Sequence, residues 1–151
     1  MTRITSSISI NAPIETVFDY VTTPGHWPEW HPSSVSVTGA TNHSLAVGEQ
    51  VEEAFLVAGR RGRVIWTVTE RNAPRRWVIN GKILDSPGGG VITYALTPTA
   101  DGVAFDREFV YPTPNLLYAL IDFVYIRSRI RAESAQAVQQ LKRILEKTSD
   151  N

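Results

Sequence analysis

Ile4, Ser6, Ile8 and Ile10 alternate with Thr5, Ser7 and Ser9, the period-two pattern of a strand with one buried face. After Asn11-Ala12-Pro13 the period lengthens, and Ile14, Val17, Phe18 and Val21 recur at helical spacing. Proline is tolerated in the first turn, and Glu15 sits at the positive end of the helix dipole. Pro24-Gly25 stops this helix. A loop or short helix then carries His26, Trp27, Pro28, Glu29, Trp30, His31 and Pro32, the densest aromatic patch in the chain. From Ser34 onward strand patterns follow one another near 34–38, 50–57, 63–71, 76–84, 91–97 and 103–111. The breaks between them are turn signals of the antiparallel hairpin kind, among them Gly59-Arg60-Arg61-Gly62 and Ser86-Pro87-Gly88-Gly89-Gly90.

The last pattern, from Pro114 to about Lys147, reads as one long helix with two unlike halves. Leu116 to Ile126 is apolar almost all round, which requires cover on most sides. After Arg127 it narrows to a stripe of Ile130, Ser134, Val138, Leu141 and Leu145, with Ala137 and Ile144 beside it. The apolar half is well short of the ~20 residues that span a bilayer, so the expectation is a helix laid across a sheet. The whole order implies an α+β protein with a curved antiparallel sheet covered on one side.

Alternation also sorts the strands into faces. Val64, Trp66 and Val68 point one way, as do Trp77, Ile79, Gly81 and Ile83, then Ile92, Tyr94 and Leu96, then Val103, Phe105, Phe109 and Tyr111. Two charges fall on this same face: Glu53, between Val51 and Phe55, and Arg107, between Phe105 and Phe109. A lone buried charge costs several kcal/mol unless it is paired or hydrated. The face they share is therefore expected to be partly wet, with Glu53 and Arg107 orienting a polar group of a ligand. The alternatives are a structural ion pair, or a strand bulge that turns either residue outward.

Composition narrows the classes. At 151 residues the chain is long enough for one domain with a proper core. Fifteen Lys and Arg residues cancel fifteen Asp and Glu residues, which argues against a surface built for nucleic acid or for anionic membrane. There is no cysteine, so disulfides, thiol catalysis and cysteine-ligated zinc are excluded. Met1-Thr2-Arg3-Ile4 has no apolar run of signal-peptide length, and the expected location is cytoplasmic, without an integral membrane segment.

The opening Ser9-Ile10-Asn11-Ala12-Pro13-Ile14-Glu15-Thr16-Val17-Phe18, the segment from Pro24 to Trp30, Val68-Thr69-Glu70 before Pro74, and the closing Leu141-Lys142-Arg143-Ile144-Leu145-Glu146 resemble the START-like (SRPBCC) superfamily. That superfamily includes polyketide cyclases and birch-pollen-allergen relatives, and the resemblance runs over nearly the whole chain. It implies a helix-grip fold: a curved seven-stranded antiparallel sheet wrapped around a long C-terminal helix, with two short helices after the first strand and a cavity between. It further implies a single START-like ligand-binding domain over residues 1–151. Members bind lipids, sterols, polyketides or plant hormones, and some catalyse cyclisation or dehydration. A shared fold does not carry one function across, and no member's catalytic residues transfer here.

The residues themselves support three rival functions. The first is a protein that binds a hydrophobic or amphipathic small molecule, lipid-, polyketide- or isoprenoid-like, between sheet and helix. Phe55, Trp66, Trp77, Tyr94, Phe105, Phe109, Leu117, Leu120, Ile121 and Val124 would line the site, Glu53 and Arg107 would anchor the ligand, and His26, Trp27 and Trp30 would stand at the pocket mouth. The second is a polyketide cyclase or dehydratase in the same cavity, in which arginine stabilises an enolate oxygen and glutamate takes an α-proton. The third is an interaction module using the apolar start of the last helix, in a monomer or a homodimer. Binding alone needs only polar groups that orient a ligand, and it is the first expectation. No metal or other cofactor is expected: His26, Glu29 and His31 lack ligand spacing and are interrupted by proline, leaving the histidines wet. Gly88-Gly89-Gly90 lacks a following helix to hold phosphate.

Overall fold

The computed structural model describes residues 1–57, 59–112, 121 and 125–149. Strand β1 (Thr2–Ile10) leads into helix α1 (Ile14–Val21), a 3-10 turn (Pro24–His26) and the short helix α2 (Trp27–Trp30). Six strands follow: β2 (Ser34–Gly39), β3 (Gln50–Val57), β4 (Arg60–Asn72), β5 (Arg76–Ile83), β6 (Gly89–Pro98) and β7 (Val103–Tyr111). Helix α3 (Arg127–Ser149) closes the order. The strands form one antiparallel sheet in the order β1-β7-β6-β5-β4-β3-β2. This is the helix-grip arrangement, α+β, with β1 returned to the edge beside β7.

The faces follow the alternation. Trp66 pairs with Gly81, Val68 with Ile79, Trp77 with Tyr94, and Tyr94 with Arg107. One inner face is thus continuous over four strands, β4 to β7. The stripe of α3 lies against it, with Ser134, Ala137, Val138, Leu141 and Leu145 all buried. The end of the helix is tied to β1, where Lys142 Nζ donates to the Ser9 carbonyl at 2.6 Å and Glu146 Oε1 accepts from the Asn11 amide at 2.9 Å. Helices α1 and α2 close one end of the sheet, where Val17, Phe18, Val21, Trp27 and Trp30 join Trp77, Tyr94 and Phe105 in the main core. Trp27 Nε1 donates to the Val21 carbonyl and Trp77 Nε1 to the Leu45 carbonyl. A smaller cluster of Ile4, Tyr111 and Ile130 sits at the other end.

Two turn signals prove to be strand. Arg60, Arg61 and Gly62 pair with Val57, Leu56 and Phe55, and Gly59, at φ 81°, takes the left-handed position of the turn. Gly89 and Gly90 likewise pair with Lys82 and Gly81. Glycine serves close packing at these positions. A Cβ added at Gly62 would sit 2.5 Å from Phe55 Cζ, at Gly81 2.5 Å from Trp66 Cζ3, and at Gly90 2.7 Å from Phe109 Cε2. Each glycine is the bare backbone on which one aromatic ring lies.

Of the long helix expected from Pro114, the stretches 113–120 and 122–124 lie outside the described residues, and the described helix begins at Arg127.

Gly81→Ala is expected to force Trp66 off its seat and to destabilise the protein by ~1–3 kcal/mol, the usual cost of overpacking. Urea denaturation checks this, and an unchanged midpoint would mean that the ring has room to yield.

Candidate functional site

Where α3 leaves the inner face uncovered, the sheet and helix enclose a cavity of ≈ 470 Å³. Its wall is apolar through residues such as Phe55, Val64, Trp66, Ile79, Ile92 and Phe109, with Ile126 and Ile130 supplied from the helix side. One end is polar, formed by His31, Ser33, Glu53, Tyr94, Arg107 and Ser134 with Glu133 beside them. The exposed members of the lining are Arg60, Arg61, Asp85, Ser86 and Pro112. These mark the open end, at the β3–β4 hairpin and the β5–β6 loop.

Glu53 on β3 and Arg107 on β7 lie four strands apart in sheet order, yet the sheet curves enough for each to feel the other's charge. They form no ion pair, for among the described residues no carboxylate lies within 4.0 Å of Arg107. Arg107 is 7% exposed and donates from Nη1 to Ser134 Oγ at 3.3 Å, while its Nε has no partner among the described residues. Glu53 accepts from Trp66 Nε1 at 3.1 Å. Burial pushes the Glu53 carboxyl above the usual carboxylate range, against the opposing pull of its hydrogen-bonding neighbours and of Arg107. Burial also pushes the Tyr94 phenol up to about 12, again against the pull of Arg107.

His31 departs from the expectation that the histidines stay wet. Its Nδ1 accepts from the Ser33 amide at 3.1 Å, and its Nε2 is enclosed without a partner among the described residues. Burial first and the Arg107 charge second hold its pKa well below the ordinary histidine value. The ring is therefore neutral at pH 7, with the proton on Nε2. Its side chain turns inward because the α2 helix ends at Trp30 and His31 takes an extended conformation at the C-cap. Proline on either side of Glu29–His31 gave no sign of that turn. Ser134 and Ser33 were likewise hidden: Ser134 stood in the apolar stripe without a role, and Ser33 in a loop.

Other expected site residues are placed differently. Trp77 and Phe105 do not line the cavity; both are fully buried behind it, Trp77 stacked on Tyr94 at 5.4 Å and Phe105 packed on Tyr94 at 5.1 Å. They back the ring that does line it. Trp27 and Trp30 are not at the mouth but at the closed end, 4% and 2% exposed, because α2 plugs the sheet there. His26 is outside altogether. Its ring stacks on Tyr20 at 4.2 Å and its Nδ1 meets Glu29 at 3.3 Å, beside an outer groove with Glu15 and Asp19. Ile121 is 39% exposed and takes no part in the lining. Leu117, Leu120 and Val124 lie outside the described residues. Glu53, Phe55, Trp66, Tyr94, Arg107 and Phe109 are brought together on the cavity wall.

Among the described residues no group of three His, Asp or Glu side chains could hold a metal ion, and no helix is long and apolar enough to cross a membrane.

A family model described as polyketide cyclase / dehydrase and lipid transport matches residues 1–146. No curated protein matches the sequence. Among solved structures, a protein from Chromobacterium violaceum superposes with a TM-score of 0.71 at 18% identity, covering 97% of this chain and 99% of that one. One from Rhodobacter sphaeroides gives 0.73 at 20% identity, covering 97% and 93%. The Aha1 dimer from Colwellia psychrerythraea gives 0.69 at 18%, covering 97% of both chains. These likenesses are of fold.

The two shifted groups act on stability with opposite signs. The raised Glu53 pKa favours the fold below about pH 4.5, where both states are protonated, and that advantage is lost as pH rises through its folded value. The lowered His31 pKa leaves full stability above about pH 6.5, lost as pH falls toward its folded value. Glu53→Gln, which keeps an oxygen for Trp66, is therefore expected to raise the Tm at pH 7.5 and to leave it nearly unchanged at pH 4. His31→Gln is expected to flatten the fall in Tm between pH 7 and 5. Thermal melts across that range read both.

Proposed function

The chain belongs to the polyketide cyclase/dehydrase and lipid transport family, and from that membership we propose that it binds a hydrophobic or amphipathic small molecule, lipid-, polyketide- or isoprenoid-like, as one ligand-binding domain over residues 1–151. The observation that carries the reading is the ≈ 470 Å³ cavity with an apolar wall and a polar closed end. Its volume falls within the ~300–1,000 Å³ of small-molecule sites, and its few convergent polar groups are what such sites use to orient a ligand. Glu53 and Arg107 serve as anchors, with Phe55, Trp66, Tyr94 and Phe109 as wall. The molecule works in the cytoplasm, as a monomer or a homodimer, without cofactor or nucleic acid.

A second reading, turnover in the same cavity, is favoured by one specific observation. Glu53 is held toward its protonated form within range of an arginine that lacks a carboxylate partner among the described residues. A carboxyl tuned upward by burial is suited to proton transfer near neutral pH, and a guanidinium to stabilising an enolate oxygen. Third, contact with a partner through the apolar start of the last helix falls mostly on residues outside the described ones.

Native mass spectrometry of the protein incubated with amphiphiles of eight to sixteen carbons tests the first reading. A discrete one-to-one adduct is expected, and it should be lost in Ile92→Trp, which fills the cavity. Adducts that survive in Ile92→Trp would place binding elsewhere. A Glu53→Gln variant that keeps its adducts but abolishes turnover of a cyclisable polyketide analogue would move the enzyme reading ahead.

A further inference from the structure

Among the described residues, hydrogen-bond bookkeeping at the closed end of the cavity is lopsided. Arg107 can only donate, and its Nε–H finds no acceptor. His31 uses Nδ1 to accept from the Ser33 amide, so its Nε2 carries the proton and donates, again to nothing. Trp30 Nε1, a donor only, is buried without a partner as well. All three residues line the same cavity, and they are neighbours. The Trp30 and His31 rings are 5.7 Å apart, Trp30 and Tyr94 are 6.2 Å apart, and Tyr94 is paired across the strands with Arg107. A buried N–H group left unmade loses its water without replacement, and the loss is greater when the group is charged. Two carboxyls stand at this end: Glu53 takes the Trp66 N–H and is held toward neutrality, and Glu133 accepts from Ser33 Oγ at 2.9 Å. Neither accepts from the three N–H groups, so this end of the cavity presents donors that lack acceptors among the described residues.

That imbalance discriminates among ligands. An amine would meet donors with donors beside a fixed positive charge. An alcohol or ester supplies neutral oxygens and leaves the guanidinium uncompensated. A carboxylate supplies two oxygens with about four acceptor sites and one negative charge. It also matches the flat edge of a guanidinium, of which the Nε–H is one half. We propose that the ligand is an amphipathic carboxylic acid that enters the cavity acid end first, its carboxylate held at Arg107 with His31 and Trp30 as further donors. This rests on the ligand-binding reading above, and it adds the chemistry of the headgroup.

Three tryptophans, Trp27, Trp30 and Trp66, line the cavity, so intrinsic fluorescence reports occupancy. The probes are dodecanoate, methyl dodecanoate and dodecanol at pH 7.5, each below its micelle concentration. Dodecanoate is expected to bind at least ~10-fold more tightly than either neutral analogue, the worth of one good charge-assisted pair. The preference should collapse to within ~3-fold in Arg107→Met. Should that variant fail to fold by circular dichroism, Arg107→Lys decides, because it keeps the charge and loses the fork; most of the preference should go. Equal binding of all three by the wild type, or a preference that persists in both variants, overturns the carboxylate inference and leaves the ligand-binding reading standing. Binding of none of the three overturns both.

Discussion

Seven strands present an inner face wider than one helix can cover. At ~4.8 Å between strands the face spans about 29 Å, against ~10 Å for a helix with its side chains. The chain meets this mismatch by bending the sheet and spending its small residues where helix and sheet touch most closely. Ser134 and Ala137 stand in the stripe of α3 and are buried to 1% and 0%, letting the helix settle over the end of the sheet that α1 and α2 also close. What remains uncovered, between that core and the cluster of Ile4, Tyr111 and Ile130, is the cavity. Its position follows from where the described helix lies, and its walls are inner-face residues that this helix does not cover.

Charge inside such a space is tolerated only by division of labour. Arg107 is held by a serine of the helix and lies across from a tyrosine of the next strand, neither of which neutralises it. Its field helps to keep His31 uncharged and works against the desolvation of Glu53. Arg107 thus biases the protonation of both neighbours without an ion pair to either among the described residues. Replacing a buried ion pair with apolar residues is often neutral or stabilising, so an arrangement of this kind contributes little to folding that leucine could not. Arg107 therefore stands as a buried cation with no carboxylate within 4.0 Å among the described residues.

Much of the fold was legible because period-two alternation survives single residues: strand faces, the antiparallel order and the stripe of α3 all follow from it. Glu53 and Arg107 were legible for the same reason, as charges on an apolar face. The rest depended on distances along no single element. Trp77 and Phe105 carry the same sequence signal as Trp66 and Phe109, and only the position of α2 over one end decides that the first two are backing and the second two are wall. His31 read as solvent-facing because nothing local says which way a residue turns after a short helix ends. Arg60, Arg61, Gly89 and Gly90 read as turns because glycine signals both a turn and a ring seat, and the distinction lies on the facing strand.

The ring seats also bear on how a family of such proteins diversifies. Gly62, Gly81 and Gly90 each support an aromatic ring that borders the cavity, so the chamber is upholstered with large parts resting on the smallest ones. A methyl group occupies roughly the volume of a water, ~30 Å³. Exchanging Gly62 or Gly90 for alanine on the floor, with a matching trim of Phe55 or Phe109 above, reshapes the chamber in steps of that size without touching a strand register or a charge. The apolar wall of the chamber can therefore change shape independently of its polar end, because the two are written on different residues of the same sheet.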